Sequence, residues 1–399
     1  MTEWKEYKLR NFIKVKHGFA FKGNYIVPDE TDEILVTPGN FHIGGGFKSD
    51  KYKYYKSEDF PQDYILKSGD IVVTMTDLSK DSDTLGYSAK IPFTKNKKYL
   101  HNQRIGLVQF VSEDVCPDFI YWLLRTKEYQ NYIVGSASGT SIMHTSPSRI
   151  ENYSCLFPPL LTQRRIAAIL SSLDDKIDLL HRENATLEQM AETLFRQWFV
   201  VEAKEEWEEK PLGKCIKLVG GGTPKTSEER FWNGNVCWLS GGDIANNHKN
   251  YVSSSEKSIS EDGLNNSSAK LLPENAMVVS ARGTVGKYCL LSKPMAFSQS
   301  NYGILPIYSS CYFFTYLLVA YHIDELQSAA YGSVFDTITT KTFEGVSVLL
   351  PKETGYIVEF EKMIEPYFSK MKYNNKQIQT LIQTRDGLLP RLMSGEIKL

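Results

Sequence analysis

Apolar residues recur at alternating steps of four and three along one long segment of the chain. This segment follows Pro158-Pro159 and contains no internal proline or glycine up to Phe199. The positions on the seam are Ile166, Leu170, Leu173, Ile177, Leu180, Asn184, Leu187, Ala191, Leu194 and Trp198. An unbroken heptad seam is typical of a coiled coil rather than of a general surface helix. We therefore predict one helix from Thr162 to Phe199, about 37 residues and roughly 55 Å long.

A second segment near the end of the sequence repeats the pattern with steps of three and four. Its seam consists of Ile357, Phe360, Ile364, Tyr367, Met371, Asn374, Ile378, Leu381, Arg385 and Leu388. Proline is tolerated in the first turn of a helix but breaks or kinks its interior. The pattern therefore predicts a continuous helix that begins at Pro366, with a shorter helical segment before it. Pro390 and Gly395 are expected to end this helix.

Each seam carries one asparagine near its middle, Asn184 and Asn374. A lone polar residue in an apolar seam fixes the register of paired helices at some cost in stability. Asn184 is followed by a step of three and Asn374 by a step of four, so the two occupy different heptad positions. We interpret the seams as an antiparallel pair within one chain, with the two asparagines facing each other. The alternative is that both asparagines lie at solvated edges.

The sequence outside the seams contains an internal repeat, which is the sign of a duplicated structural unit. Trp4, Leu9, Ile13 and Gly18 recur 203 residues later as Trp207, Leu212, Ile216 and Gly221. Residues 139–158 match residues 332–351 at an offset of 193. Residues 38–41 and 69–74 have counterparts at 241–244 and 275–280 in the same order. The shared order of these matches predicts two globules of the same architecture.

Each globule has the pattern of a mixed α/β unit. Short β-branched runs predict strands at Asp70–Thr74, Ile105–Val111, Ala276–Ser280 and Val346–Leu350. One helix is predicted in each globule, at Asp118–Ile133 and at Tyr312–Ala330. We therefore predict an α+β chain in four parts: globules at 1–158 and 202–351, and long helices at 159–201 and 352–399.

Composition and charge narrow the class of protein. The chain is 42% hydrophobic and 23% charged, which fits ordinary globular domains. Its six cysteines are scattered without a Cys-x-x-Cys pair, and its start lacks the apolar region of a signal peptide, so a cytoplasmic protein is expected. The net charge of −1 argues against a chain that binds DNA by its overall charge. Any DNA-binding surface must be local or must be completed by partners.

The sequence lacks the familiar signatures of an active site. Gly220-Gly-Gly-Thr-Pro is not followed by Gly-Lys-Ser/Thr, and Gly283-Thr-Val-Gly-Lys287 lacks the first glycine, so neither is a P-loop. The seven histidines show no His-x-x-x-His pair. We predict no catalytic residues and no metal site.

Several segments resemble the specificity subunits of type I restriction-modification systems. Residues 162–180, with Asn184-Ala-Thr-Leu-Glu and Leu194-Phe-Arg-Gln-Trp-Phe199, resemble their central conserved region. Residues 385–397 resemble their C-terminal conserved region. Gly18-Phe-Ala-Phe-Lys22, Gly221-Gly-Thr-Pro224 and Ala281-Arg-Gly-Thr-Val-Gly286 are similar to pieces of their target-recognition domains. The first globule departs from this pattern, with Asp77-Leu-Ser-Lys-Asp-Ser-Asp83 in place of the last motif.

The resemblance implies a fold and a role. Two target-recognition domains would each read one half of a split double-stranded DNA target. The two long helices would pack antiparallel, set the spacing of the readers and dock two methyltransferase subunits, which bring S-adenosylmethionine. Restriction and translocase subunits would join through that core. The chain itself would be non-catalytic and hold no cofactor.

Base readout needs polar side chains on loops, and positioning on DNA needs cations and amides near phosphates. The candidates in the first globule are Lys16, Lys22, Gln103, Arg104, Thr140, Ser141 and His144. Those in the second are Thr223, Lys225, Arg230, Arg282, Lys287, Gln299, Asn301 and Ser333. Arg282 and Lys287 are favoured because they flank glycines in a turn. Two other functions remain open: a coiled-coil scaffold with two protein-binding globules, and an enzyme with an unrecognised site.

Overall fold

The computed structural model describes residues 4–49, 52–57, 59–77, 79, 83–139, 142–308, 310–331 and 336–399. The chain divides into two compact units. The first unit contains residues 1–176 and 381–399, and the second contains residues 177–380. No helix in these ranges is both long and apolar enough to cross a membrane.

The first unit is a mixed α/β globule joined to parts of two long helices. Its strands are β1 (Lys5–Lys8), β2 (Ile13–His17), β3 (Ile26–Val27), β4 (Glu33–Val36), β5 (Lys53–Tyr55), β6 (Ile65–Leu66), β7 (Ile71–Thr74), β8 (Thr76–Asp77), β9 (Ser88–Lys90), β10 (Lys98–His101), β11 (Ile105–Phe110), β12 (Met143–His144) and β13 (Ser154–Phe157). Its short helices are α1 (Pro117–Leu123), α2 (Lys127–Gly135) and α3 (Pro147–Glu151), and the first long helix is α4 (Leu160–Arg196).

The second unit has a comparable set of elements. Its strands are β14 (Glu208–Pro211), β15 (Ile216–Gly220), β16 (Trp232–Leu239), β17 (Tyr251–Val252), β18 (Lys257–Ile259), β19 (Leu271–Leu272), β20 (Met277–Ser280), β21 (Tyr288–Leu291), β22 (Met295–Phe297), β23 (Asn301–Pro306) and β24 (Ser347–Leu350). Its helices are α5 (Leu212–Cys215), α6 (Gly241–Asn246), α7 (Glu261–Asn265), α8 (Tyr312–Tyr321), α9 (Ile323–Tyr331), α10 (Thr340–Gly345) and the second long helix, α11 (Thr354–Met393).

Four strands in each of two main sheets follow the same order in the two units, and each matched pair of sheets differs by one added strand. One sheet has the order β2-β11-β7-β9 in the first unit and β15-β23-β20-β21-β17 in the second. The other sheet has the order β3-β5-β4-β10-β6 in the first unit and β18-β16-β22-β19 in the second. In this second sheet β4 pairs with β10 in parallel, as β16 does with β22. The repeated order of paired strands confirms the duplicated unit predicted from the sequence.

The predicted strands are present, but the predicted globular helices are each split in two. The segment expected to form one helix from Asp118 to Ile133 forms α1 and α2. Thr126 breaks it, because its side chain accepts a hydrogen bond from the Tyr129 amide and caps the start of α2. The corresponding segment of the second unit is divided into α8 and α9 at His322.

The two long helices lie where the apolar seams predicted them, but they begin and end at different residues from those predicted. α4 begins at Leu160 and continues beyond Arg196 as a π-helical segment, Gln197–Val201. The prediction that the last helix begins at Pro366 is wrong, because α11 begins at Thr354 and runs through Pro366. The prediction that Pro390 ends it is also wrong, because α11 continues to Met393, two residues before Gly395. Pro366 is exposed, so water can solvate the carbonyl that loses its hydrogen bond. Burial of Phe360 and Ile364 before the proline and of Phe368 after it offsets its cost.

The buried residues of α11 also depart from the strict seam after Ile364. Phe368 is fully buried where the spacing placed Tyr367 on the seam, and Tyr367 is half-buried. Phe368 stacks on Phe313 of α8, with ring centroids 4.5 Å apart, so this turn of the helix faces the globule of its own unit. A pattern that anticipates only a partner helix could not predict this second packing face.

The two seam asparagines are both buried in the second unit. Asn374 is 0% exposed and Asn184 is 5% exposed, so neither lies at a solvated edge. The amide of Asn374 donates to Oδ1 of Asn184 at 2.8 Å, and the amide of Asn184 donates to Oδ1 of Asn375 at 3.0 Å. Asn375 in turn donates to Asn250 of the globule at 2.6 Å. The asparagines therefore join α4, α11 and the second globule in one hydrogen-bonded chain.

A buried carboxylate of α4 makes the second unit sensitive to pH. Glu188 is 8% exposed and accepts a hydrogen bond from the Tyr316 hydroxyl at 2.6 Å. Burial raises the pKa of Glu188 to about 7, although the bond from Tyr316 acts in the opposite direction. The folded chain therefore binds this proton more tightly than the unfolded chain does. Stability from this group is greatest below the ordinary carboxyl pKa and is lost as the pH rises toward 7.

We expect Glu188→Gln to remove the part of the pH dependence of the free energy of unfolding that arises from this carboxylate. The amide oxygen still accepts from Tyr316, and no charge has to be buried at high pH. The variant should be more stable than the wild type at pH 8 by up to about 3 kcal/mol, and nearly equal to it at pH 4. Denaturant unfolding across this range measures the difference, with exposed Glu359→Gln as the matched control. A constant difference between wild type and Glu188→Gln at every pH would contradict the assignment.

Candidate nucleic-acid interface

Three strand termini meet at one end of the sheet that contains β2, β7 and β11 in the first unit and β15, β20 and β23 in the second, and we call this the loop end. In the first unit β2 and β7 finish there and β11 begins there, since His17 pairs with Gly106 and Thr74 pairs with Ile105. In the second unit β15 and β20 finish there and β23 begins there. Loops that leave a sheet at one end can carry binding side chains on a rigid base. The loop end of each unit is therefore where side chains that contact DNA are expected.

The turn that enters β11 is built like the turn that enters β23. We call them the β11 turn (residues 102–104) and the β23 turn (residues 298–300). In the first unit the backbone amides of Phe19, Ile105 and Met75 donate to the carbonyls of His101, Asn102 and Arg104 at 2.9 Å each. In the second unit the amides of Gly222, Asn301 and Ala281 donate to the carbonyls of Phe297, Ser298 and Ser300 at 3.0, 3.1 and 3.0 Å. The same set of backbone hydrogen bonds thus holds both turns, although the side chains at the corresponding positions differ in part.

A glycine packs directly against each turn. A Cβ atom at Gly18 would lie 2.0 Å from the Asn102 carbonyl oxygen, and one at Gly221 would lie 2.1 Å from that of Ser298. Real side chains do not fit at such distances, so only glycine permits the close approach of the strands at these two positions. This explains in physical terms why the sequence repeat retains glycine at both sites.

Three candidates of the first unit come together at the loop end. Gln103 and Arg104 are exposed on the β11 turn. His144 lies in β12, which pairs with β8, and its Nδ1 is 3.1 Å from the Thr76 hydroxyl. The amide of Thr145 donates to the Met75 carbonyl at 3.0 Å, which places this strand beside the β11 turn.

The other candidates of the first unit are distributed around that cluster. Lys16 lies on β2, where its Nζ donates to the Asp63 carbonyl at 2.9 Å and lies 4.4 Å from the centre of the Tyr64 ring. Lys22 is exposed beyond β2, with its Nζ 4.0 Å from Asp59. Thr140 and Ser141 lie outside the described residues.

In the second unit the loop end gathers Thr223, Gln299, Asn301 and Arg282. Gln299 and Arg282 are exposed, and Thr223 is half-buried next to Gly222. Asn301 is 2% exposed, and its amide donates to the Ser298 hydroxyl at 2.8 Å, so it supports the β23 turn from beneath. The amide of Ile338 donates to the Ala281 carbonyl at 3.1 Å, the counterpart of the bond between Thr145 and Met75.

The remaining candidates of the second unit lie at the margins of the loop end or away from it. Lys287 is half-buried and lines a cavity of about 510 Å³ together with Lys249, His248 and Glu192. Lys225 is exposed, and its carbonyl accepts from the Trp232 indole at 3.2 Å. Arg230 is held by Glu228 and Asp262 at 3.4 and 3.5 Å. Ser333 lies outside the described residues.

The loop after β7 differs from the loop after β20, as the sequence indicated, but both close in the same way. The amide of Gly86 donates to the Thr74 carbonyl at 3.1 Å, and the amide of Gly286 donates to the Ser280 carbonyl at 2.9 Å. Both glycines have positive φ angles, 84° and 78°. The first unit therefore carries extra residues between two shared anchor points.

Asp77 organises that longer loop and was not among the site residues predicted from the sequence. It is 2% exposed and accepts from the amides of Ser79 and Thr84 at 2.7 Å each. Burial alone would raise the pKa of Asp77, but the hydrogen bonds from Ser79 and Thr84 outweigh it and lower the pKa. An aspartate followed two residues later by serine is an Asx-turn signal that could have identified it. Among the described residues, no cluster of His, Cys, Asp or Glu could hold a metal ion.

The whole architecture is similar to that of a solved protein. The crystal structure of the type I restriction-modification system S subunit from M. genitalium aligns with a TM-score of 0.57 at 15% sequence identity. The alignment covers 98% of this chain and 96% of that one. The chain thus has the fold of a type I S subunit.

The sequence comparisons then define the family. The family described as the type I restriction modification DNA specificity domain matches residues 1–189 and again residues 204–383. The HindI specificity subunit of Haemophilus influenzae is 25% identical over 100% of both chains. The MjaIX specificity subunit of Methanocaldococcus jannaschii is 25% identical over 79% of this chain and 76% of its own length. The chain belongs to the type I restriction modification DNA specificity family.

We expect Gly18→Ala and Gly221→Ala to distort the two turns. The added methyl group would overlap a backbone carbonyl oxygen, so each substitution should destabilise the chain by about 1–3 kcal/mol. Gly23→Ala and Gly220→Ala are matched controls, because a Cβ at either site meets no described atom within 4 Å. Denaturant unfolding of the four variants measures the effect. Equal stability of the two pairs would show that the turns can move without cost.

Proposed function

We propose that this chain is the DNA-sequence-specificity subunit of a type I restriction-modification complex. It is a non-catalytic reader, and each globule recognises one half of a bipartite double-stranded target through its loop end. The observation that carries the proposal is that the loop ends of the two units share the same backbone hydrogen bonds but present different exposed side chains. Duplicated readers with different side chains suit a target whose two halves differ in sequence.

The proposed partners are two methyltransferase subunits, with restriction and translocase subunits joined through that core. S-adenosylmethionine would be held by the methyltransferase subunits and not by this chain. The net charge of −1 supports a need for partners, because phosphate contacts supply most of the affinity of DNA-binding proteins. Partner subunits that surround the DNA can supply those contacts while this chain supplies base readout.

We further propose that α4 and α11 form an antiparallel coiled coil whose register is fixed by Asn184 and Asn374. Contacts within the second unit support this arrangement. Asn184 bonds to Asn374, and the rings of Phe195 and Trp198 lie 6.0 and 4.8 Å from those of Phe360 and Tyr356. Positions that advance along α4 therefore meet positions that recede along α11. The proposed domain limits follow: readers at 1–158 and 202–351, and helices at 159–201 and 352–399.

The helices would act as a ruler between the two readers. Major-groove windows on one face of DNA repeat about every 34–36 Å. A helix of 37 residues, at 1.5 Å each, is about 55 Å long and can span that distance. The target should therefore consist of two short specified tracts separated by an unspecified gap of fixed length.

The function is tested by expressing the chain with its methyltransferase subunits in a host that lacks other DNA methylation. Sequencing of methylated sites should return one bipartite motif with a constant gap. Binding of the purified complex to that duplex should weaken steeply with salt, since phosphate contacts release counterions. A protein-interaction scaffold predicts no motif and no salt-dependent binding. Methylation by this chain without partners would instead indicate an enzyme.

Lengthening both helices by one heptad should lengthen the gap. Seven residues inserted after Lys176 and seven after Thr380 preserve both seams, and these positions are the limits of the two compact units, so neither globule loses its contacts with the helices. The addition of roughly 10 Å corresponds to about three base pairs. The same methylation sequencing measures the new gap, and insertion into α4 alone should abolish specific methylation. An unchanged gap in the double insertion would exclude the ruler.

A further inference from the structure

We propose that Gln103 and Gln299 are equivalent specificity-determining residues that each read one adenine, one in each half of the target. This inference rests on the proposed function and extends it to a particular base. It predicts that the two half-sites, although different in sequence, share an adenine at corresponding positions. Each glutamine would form its hydrogen bonds to a paired base in the major groove.

The two glutamines occupy the same position in the two loop ends. Each is the middle residue of its turn. The residue that follows it, Arg104 or Ser300, accepts a hydrogen bond at its carbonyl from a backbone amide in the loop after the neighbouring strand. The residue after each turn starts the strand in matching register, Ile105 opposite Thr74 and Asn301 opposite Ser280. The offset between the glutamines, 196, is the same as that between these strand starts.

The turns fix the backbone and leave the glutamine side chains free to reach outward. Asn102 and Ser298, which precede the glutamines, are buried beneath the turns. Gln103 and Gln299 are both exposed, and the backbone amide of Gln103 donates to the Phe19 carbonyl at 2.8 Å. A long side chain on a rigid, glycine-packed turn can enter a groove without a rearrangement of the main chain, which lowers the cost of binding.

The chemistry of the carboxamide selects the base. Glutamine offers one donor and one acceptor side by side, and adenine presents N7 as acceptor and the N6 amino group as donor in the major groove. The paired contact discriminates adenine from the other bases. The next residue differs between the turns, Arg104 in the first and Ser300 in the second. Equivalent glutamines beside different neighbours would give half-sites that agree at one base and differ beside it.

The test uses complete complexes of the chain with its methyltransferase subunits and compares their methylated sites. Gln103→Ala should relax one adenine position in one half-site, and Gln299→Ala should relax the corresponding position in the other half. Discrimination at that position should fall on the order of tenfold to a hundredfold. Gln109→Ala is the matched control, since Gln109 is exposed on β11 away from the loop end, opposite Lys14. It should leave the motif unchanged.

Gln103→Glu and Gln299→Glu provide a second readout if the alanine variants lose all methylation. A carboxylate accepts from the cytosine amino group, so each should shift the preferred base from adenine to cytosine at the same position. Relaxation at a base other than adenine, or an unchanged motif in both alanine variants, would overturn the inference. So would glutamate variants that keep the adenine preference. If the wild-type complex methylates no bipartite motif, the proposed function itself is refuted. This result differs from a failure of the glutamine inference, in which the wild-type motif is still present.

Discussion

Neither globule closes its hydrophobic core without residues from the long helices, and the rest of the structure depends on this constraint. In the first unit Ile166, Leu170 and Leu392 belong to the same buried cluster as Phe119 and Trp122 of α1. In the second unit Phe195 and Phe199 pack with Phe314 of α8 and with Ile357 and Phe360 of α11. Each fully buried side chain of this size contributes roughly 1.5–3 kcal/mol. A globule that shares its core with the helices cannot rotate on them freely, so the orientation of its loop end follows from packing.

Within each unit, polar contacts also fix the orientation of the globule on the long helices, and the chemical groups involved differ between the two units. In the first, Gln163 of α4 accepts the Cys116 amide at 2.9 Å, just before α1. In the second, Glu361 of α11 accepts the amides of Phe313 and Phe314 at 3.0 and 2.7 Å, at the start of α8. Burial raises the pKa of Glu361 to about 7, and the two amide bonds oppose that shift. A long helix thus caps the first turn of a short globular helix in both units, by a neutral group in one and an ionisable group in the other.

Periodicity predicted the features that depend on apolar spacing, and it failed where two packing faces compete. The seams and the duplicated strands follow directly from side-chain pattern. The continuous helix through Pro366 could not be predicted in this way, because the burial of Ile364 and Phe368 around the proline outweighs its local tendency to break a helix. The candidate cluster was predicted in part: Gln103, Arg104 and His144 do meet. No local pattern could show that Asn301 lies beneath its turn, because its burial depends on the pairing of β20 with β23.

The division between backbone and side chain at the loop end explains how one fold can serve two different half-sites. The turns are held by main-chain hydrogen bonds and by the close approach of Gly18 and Gly221. These contacts do not involve the exposed side chains of residues 103, 104 and 299 or the half-buried side chain of residue 300. Substitutions at exposed positions away from caps and buried networks usually change stability by less than about 0.5 kcal/mol. The base-reading positions can therefore change without loss of the fold. The extra residues of the Asp77 loop follow the same rule, because they are inserted between anchor points that both units retain.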